Sequence, residues 1–367
     1  MRVLVVDDAV AYRTIISRAL EGVAGVEVVG VAADGKIALQ KVESLRPDLL
    51  TLDVEMPSVN GLEVLRRLRA SGSDVGVIML SSFTSEGADV TLEALEKGAF
   101  DFVVKPTGGT AEANAAKLRR ELAVRIDAFS RAREIRNILR NRGQAVRTPT
   151  PTTPVQTGDE AVPNRPHWAT AAKCEAVAIG ISTGGPQALM HLLPLLPASL
   201  ATPVVIVQHM PPMFTRSLAD DLNGRCALRV TEAADGDPVR PGTILIAPGG
   251  RQMKVERNNG LPVIRITDDP PENSCRPSVD YLFRSVADVY GGRSLGVLMT
   301  GMGNDGAAGC RLLHRLGAPL LAQSEASCVV FGMPREPTIE GIAKPVALED
   351  MAQEIVRIAG HGAISCR

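Results

Sequence analysis

The stretch Val177–Pro186, VAIGISTGGP, decides how the second half of this chain is read. An apolar run that ends in a glycine-rich turn and continues into a helical pattern describes one strand–turn–helix unit of an open α/β sheet. Within it, Gly180 to Gly184 fits the G-x-S-x-G turn that exposes a serine nucleophile. The same glycines suit a loop whose N–H groups hold a phosphate. Ser182, however, stands where G-x-G-x-x-G needs its second glycine, and no G-K-[ST] follows, so the phosphate reading is the weaker.

A serine hydroxyl is a poor nucleophile near pH 7 and needs a neighbouring base. The chain has five histidines. His167 lies in a linker, His361 near the end, and His191 and His314 within helical patterns. His209, in VVIVQHMPP, directly follows an apolar strand and precedes a turn, and is the favoured base. A third group should orient that imidazole. LGVLMTGMGNDGAAG offers Asp305, again just after an apolar strand, in a glycine-rich loop that brings backbone close to a ligand. Met302 on that loop and Thr183 beside the serine are candidate oxyanion-side residues. The order Ser182, His209, Asp305 differs from the Ser, Asp, His order of an α/β-hydrolase, which implies a different fold with the same chemistry.

Around this unit, AVAIGIS, TPVVIVQHM, GTILIAPG, PVIRIT, RSLGVLMTG and PLLAQS read as strands separated by helical patterns. They imply a doubly wound, mostly parallel α/β sheet whose ligands bind beyond the carboxyl ends of the strands. Upstream, Thr148–Pro166 is dominated by proline and threonine and reads as a semi-extended linker. Before it, AAKLRRELAVRIDAFSRAREIRNILRNRG places Leu118, Leu122, Ile126 and Phe129 at helical spacing, with an arginine-rich face read as solvated. The N-terminal part again alternates strands and helices, with RVLVVD, VEVVGVA, LLTLDV, VGVIMLS and AFDFVVK as strands, the pattern of a flavodoxin-like domain. The expected organisation is 1–122, 123–168 and 169–362.

At 367 residues, 45% hydrophobic and 22% charged, the chain is long enough for two cores and has an ordinary globular composition. A net charge of −1 gives no basic field for nucleic acid. No helix-turn-helix pattern is present, which disfavours a DNA-binding regulator. Asp7 and Asp8 interrupt the first apolar run too early for a signal peptide, and no run approaches the roughly 18 apolar residues of a membrane span. A cytoplasmic monomer without membrane insertion is expected. Six cysteines, widely scattered without a C-x-x-C pair, argue against a zinc site and a disulfide scaffold.

In the first domain, Asp7 and Asp8 end the first strand and Asp53 the third, an all-oxygen set suited to Mg²⁺. Ser81 follows the fourth strand and Lys105 the fifth, a constellation suited to phosphoryl transfer onto a carboxylate. The acidic pair, the run Asp53 to Gly61 (DVEMPSVNG), Ser81 and Lys105-Pro106 resemble the response-regulator receiver domain over about residues 1–120. That resemblance implies that Asp53 accepts phosphate from a histidine kinase. It implies Mg²⁺ on Asp7, Asp8, Asp53 and the backbone carbonyl of Glu55, phosphoryl contacts from Ser81 and Lys105, and a switch aromatic at Phe102.

GISTGGPQAL, VQHMPPMFTRSLA, IAPGGRQM, RPSVDYLF, TGMGNDGAAG and AQSEASCVVFGMPR, in order across about residues 175–345, resemble the catalytic domain of the chemotaxis protein-glutamate methylesterase (CheB) family. The resemblance implies Ser182 as nucleophile, His209 as base, Asp305 as its orienting acid, and Thr183 and Met302 at the oxyanion. It implies hydrolysis of glutamate γ-methyl esters and deamidation of glutamines on methyl-accepting chemoreceptor helices, with no cofactor in this domain and with the unphosphorylated receiver lying over the cleft. A sensory client outside motility and a non-catalytic, phosphorylation-dependent binding module are the alternatives. Met213 stands where the family commonly has glycine, and Gln252 and Cys275 where it has histidine; these are read as rim positions.

Overall fold

A computed structural model describes residues 1–145 and 174–360, with side chains of the helix ending at residue 145 described as far as residue 134. The segment 148–166, His167, His361 and Cys366 lie outside the described residues.

The first sheet comprises β1 (Arg2–Val6), β2 (Glu27–Ala32), β3 (Leu49–Asp53), β4 (Gly76–Ser81) and β5 (Asp101–Val104). Helices α1 (Val10–Glu21), α2 (Gly35–Leu45), α3 (Gly61–Ala70), α4 (Ser85–Glu96) and α5 (Ala111–Ala145) alternate with them. The strands are all parallel, in the order β2-β1-β3-β4-β5. β3 and β4 are buried at every position, because helices cover both faces, and so they read as unbroken apolar runs. Strand β1 lies between β2 and β3, which brings Asp7 and Asp53 to the same carboxyl edge.

The second region contains β6 (Ala176–Ile181), α6 (Gly185–Leu192), β7 (Val204–Gln208), α7 (Phe214–Asn223), β8 (Arg229–Glu232), β9 (Thr243–Ile246), β10 (Gln252–Asn258) and β11 (Leu261–Thr267). It continues with α8 (Val279–Tyr290), β12 (Ser294–Leu298), α9 (Ala307–Arg315), β13 (Leu320–Gln323), α10 (Arg335–Ile339), β14 (Lys344–Val346) and α11 (Leu348–Ala359). Seven strands form a parallel sheet in the order β14-β13-β12-β6-β7-β9-β8. The expected strand PVIRIT is β11, which pairs antiparallel with β10 as a separate hairpin and does not join the main sheet. Strands β8, β10 and β14 were not among the expected ones. β14 is three residues long and β10 carries Lys254, Glu256 and Arg257, so neither shows a sustained apolar run.

From β6 the chain steps to β7 on one side, and it returns through α8 to β12 on the other. The order therefore reverses at β6, which opens a crevice at its carboxyl end. Glycines let the layers close there. A Cβ on Gly180 would lie 2.3 Å from Val279 Cγ1 of α8, and one on Gly185 would lie 1.9 Å from Gln208 Oε1. The two sheets share an interface in which Leu92, Leu95 and Phe102 pack in one buried cluster with Leu189, Phe214 and Leu218.

Candidate active site

Ser182, His209 and Asp305 follow β6, β7 and β12, the three central strands of the second sheet. Ile181 pairs with Gln208 at the last register position, and the His209 N–H donates to the Ile181 carbonyl at 3.1 Å. The next residues along each strand, Ser182 and His209, therefore emerge side by side. The turn that presents Ser182 rests on backbone: its N–H donates to Thr300 O (2.9 Å), and its carbonyl accepts from Gly185 N (2.7 Å) and Gln208 Nε2 (3.0 Å). Gly184 supplies φ +76°, a conformation that favours glycine.

Asp305 is buried, and its carboxylate is held from several directions. Oδ1 accepts from Asn273 Nδ2 (2.9 Å), Ser278 Oγ (2.8 Å) and Asp280 N (3.1 Å). Oδ2 accepts from Val279 N (2.7 Å) and lies 2.8 Å from His209 Nε2. The first turn of α8, capped by Ser278, thus aims its N–H groups at this one carboxylate, as a helix N-terminus favours. Burial raises the carboxyl's pKa, but His209, Asn273 and the Val279 N–H outweigh it and bring it down to about 2. For His209, burial works against the charged form, yet Asp305 and Cys275 raise its pKa to about 9.

The structure joins acid to base; it does not join nucleophile to base. Ser182 Oγ makes no hydrogen bond among the described residues, and the second ring nitrogen of His209, Nδ1, faces Cys275 Sγ at 3.7 Å. Catalytic hydrogen bonds of this kind commonly tighten only when substrate is bound. Because Nε2 is committed to Asp305, Nδ1 is the nitrogen left to accept a serine proton.

Neither the Thr183 nor the Met302 N–H donates to any group among the described residues. A Cβ on Gly301 would lie 2.8 Å from Ser182 Cβ, so the absence of a side chain there lets the 301–302 backbone approach the nucleophile. The loop is braced from behind, since Gly332 N and Met333 N both donate to Gly301 O.

Of the three departures from the family pattern, Gln252 is not at a rim. Gln252 is fully buried; its Nε2 donates to Pro270 O (3.1 Å) and Cys275 O (3.4 Å), and its Oε1 accepts from Ser278 N (2.9 Å). It fixes the segment that carries Cys275 against the base. Met213 holds φ +73° just before α7, a left-handed-side conformation in which glycine carries no strain.

In the first sheet, Lys105 Nζ bridges Asp7 Oδ2 (2.8 Å) and Asp53 Oδ2 (2.7 Å). Burial pushes the Asp53 carboxyl up to about 6; Lys105 opposes this, and the Asp7 charge adds to it. Asp7, Asp8 and Asp53 bring carboxylate oxygens within 4.8 Å of one another. This hard-oxygen set, short of positive charge, fits a divalent cation. Glu55 N–H donates to Asp53 Oδ1 (3.3 Å). Ser81 is buried, with its hydroxyl donated to Gly87 O (3.0 Å) and Ser82 O (3.3 Å). Phe102 lies buried at the interface, stacked on Phe214 with centroids 4.7 Å apart.

Sequence reasoning missed the contacts that tie the two regions together. The Asp101 carboxyl of β5 lies close to the Thr183 side chain, beside the candidate nucleophile. Gln187 Nε2 donates to Leu95 O (2.9 Å) and Ala99 O (2.7 Å), and Arg225 pairs with Glu96 through two bonds of 2.7 and 3.1 Å. Asp127 and Arg131 of α5 face Met302, Phe331 and Arg335 across a cleft. No helix among the described residues is long and apolar enough to cross a membrane.

The CheB methylesterase family matches residues 177–355, and the response regulator receiver domain matches residues 3–116. A protein-glutamate methylesterase/protein-glutamine glutaminase of Desulfotalea psychrophila is 48% identical over 97% of this chain and 98% of its own. One of Archaeoglobus fulgidus is 39% identical over 97% of both chains. The crystal structure of the Thermotoga maritima CheB methylesterase catalytic domain is 36% identical with a TM-score of 0.50, covering 51% of this chain and all of that one.

Proposed function

The chain belongs to the CheB methylesterase family, and from that premise we propose that Ser182, His209 and Asp305 carry its reaction while Asp53 governs access to them. The activity is hydrolysis of protein-glutamate methyl esters and deamidation of protein glutamines, serving chemotactic adaptation. The observation that carries the assignment is the convergence of three strand ends on one crevice, with Asp305 2.8 Å from His209.

His209 Nδ1 takes the Ser182 proton as Oγ attacks the γ-carbonyl of a methylated glutamyl side chain. The N–H groups of Thr183 and Met302 receive the developing oxyanion, and Asp305 stabilises the imidazolium. The imidazolium then protonates the leaving methoxide, giving methanol, or the leaving amide nitrogen, giving ammonia. Water activated by the same ring cleaves the glutamyl-serine ester and restores Ser182.

Control follows from the interface. Asp101 and Phe102 of β5 sit directly against Thr183 and Phe214, so the receiver occupies the ground where substrate must approach. A histidine kinase supplies the phosphoryl group to Asp53, and Asp7, Asp8, Asp53 and the Glu55 carbonyl would hold Mg²⁺. When bound, that ion offsets the negative charge of the phosphoryl oxygens. Ser81 must turn its hydroxyl from Gly87 toward the phosphoryl group, and the strand-end shift at Phe102 loosens the stack on Phe214. A tenfold activation requires only about 1.4 kcal/mol between closed and open arrangements.

Methanol release from methylated chemoreceptor, with and without a small phosphodonor, tests this scheme. The intact chain should accelerate roughly tenfold. An Asp53→Ala chain should keep the unstimulated rate and gain nothing. Equal stimulation of both would rule out gating through Asp53.

A further inference from the structure

Among the described residues Cys275 is the cysteine brought against His209, and its placement is built. Glu272 N donates to Cys275 O (3.0 Å) and Cys275 N to Glu272 O (2.8 Å), closing a tight turn. Gln252 grips the Cys275 carbonyl from inside the core. The thiol sulfur then stands 3.7 Å from His209 Nδ1, while Nε2 of the same ring meets the Asp305 carboxylate at 2.8 Å.

That spacing suits two ligands of one soft metal ion. A tetrahedral Zn²⁺ with ordinary zinc–sulfur and zinc–nitrogen bonds separates the two ligand atoms by about 3.6 Å. A metal-ligating histidine characteristically donates its other ring N–H to a carboxylate, which fixes the tautomer with a free lone pair toward the ion. Asp305 already plays that part, and its five accepted contacts leave it a support rather than a ligand. His209, Cys275 and Asp305 present ligand atoms within 4.8 Å of one another, the second such group among the described residues beside the acidic pocket of the receiver. Thiolate plus imidazole selects Zn²⁺ over the hard Mg²⁺ that suits the receiver. Scattered cysteine spacing hid the site, because its ligands come from two distant segments.

We propose that Cys275 and His209 Nδ1 bind Zn²⁺, with Asp305 in support, and that the ion switches the esterase off by occupying the base nitrogen. On binding, the thiol proton and the proton that the charged His209 ring carries on Nδ1 pass to solvent, and two coordination positions stay open to water. Inhibition rests on His209 being the base; binding does not.

Co²⁺ serves as a spectroscopic probe on the full chain. The wild type should develop a near-ultraviolet thiolate-to-cobalt band and visible d–d bands, competed away by Zn²⁺. Ser182→Ala should keep both; Cys275→Ser, Cys275→Ala and His209→Ala should lose the thiolate band. Two cysteine variants, each checked by thermal melting, guard against misfolding. In the wild type, Zn²⁺ should suppress methanol release and a chelator restore it. The zinc concentration for half-inhibition should rise at least tenfold in whichever cysteine variant retains activity. No thiolate band in the wild type, or a band unchanged in both cysteine variants, overturns the site. A full band with undiminished methanol release overturns its inhibitory role. Failure of the serine reading would appear separately, as metal-free activity surviving Ser182→Ala.

Discussion

Replacing Ser182 by alanine is expected to cut methanol release from methylated receptor by about 10⁴-fold or more, with the fold intact. In the proposed mechanism the hydroxyl is the attacking group, and nothing else among the described residues depends on it. Ser182 Oγ makes no hydrogen bond among the described residues, whereas the turn is held by the Ser182 backbone through Thr300, Gly185 and Gln208. Alanine keeps the Cβ that packs near Gly301 and removes only the oxygen. Melting temperature and phosphorylation of Asp53 should be unchanged. A variant retaining more than a few per cent of activity would show that another group attacks the ester.

Asp305→Asn is expected to lower kcat by roughly 10³ to 10⁴-fold and also to destabilise the second domain. The two effects share one cause. Both oxygens of Asp305 accept, from Asn273, Ser278 and Asp280 on one side and from Val279 and His209 on the other. An amide group must turn its NH₂ toward one of these sets. Facing Val279 and His209, it confronts an N–H 2.7 Å away and forces His209 to accept at Nε2, which puts the proton on Nδ1 and disables the base. Facing the other set, it confronts the Asn273 amide and the Asp280 N–H. Each unsatisfied buried donor costs about 1–3 kcal/mol, so a lower melting temperature should accompany the loss of rate. Near-normal activity would mean that Asp305 does not orient the base.

The candidate site's chemical residues were legible because Ser182 and His209 directly follow apolar strands and Asp305 lies in the loop after one, where an open sheet exposes side chains to its crevice. Ser182, His209 and Asp305 are separated in sequence yet emerge from three adjacent strands, and Asp7 and Asp53 do the same in the first sheet. Asn273, Cys275 and Ser278 carry no such signal. They lie in a turn without periodicity and reach Asp305 and His209 only through tertiary packing of α8. Gln252 looks like a surface polar residue in a charged strand, and its burial depends on three hydrogen-bond partners that no local pattern announces. PVIRIT was misplaced because alternation alone does not distinguish a sheet strand from a half-buried hairpin arm. Its burial is confined to Ile264. The interface was foreseeable only as a family expectation; Phe102, Asp101 and Gln187 give no sign in sequence of what they touch.

The central claim is that Ser182 becomes the acylated residue with His209 as its base, although the structure turns His209 Nδ1 toward Cys275. Treating the full chain with a fluorophosphonate ester and mapping the covalent adduct by peptide mass spectrometry tests this directly. The adduct should sit on Ser182, and labelling should slow at least 100-fold in His209→Ala. An adduct on Cys275, or labelling of Ser182 indifferent to His209, would contradict the account.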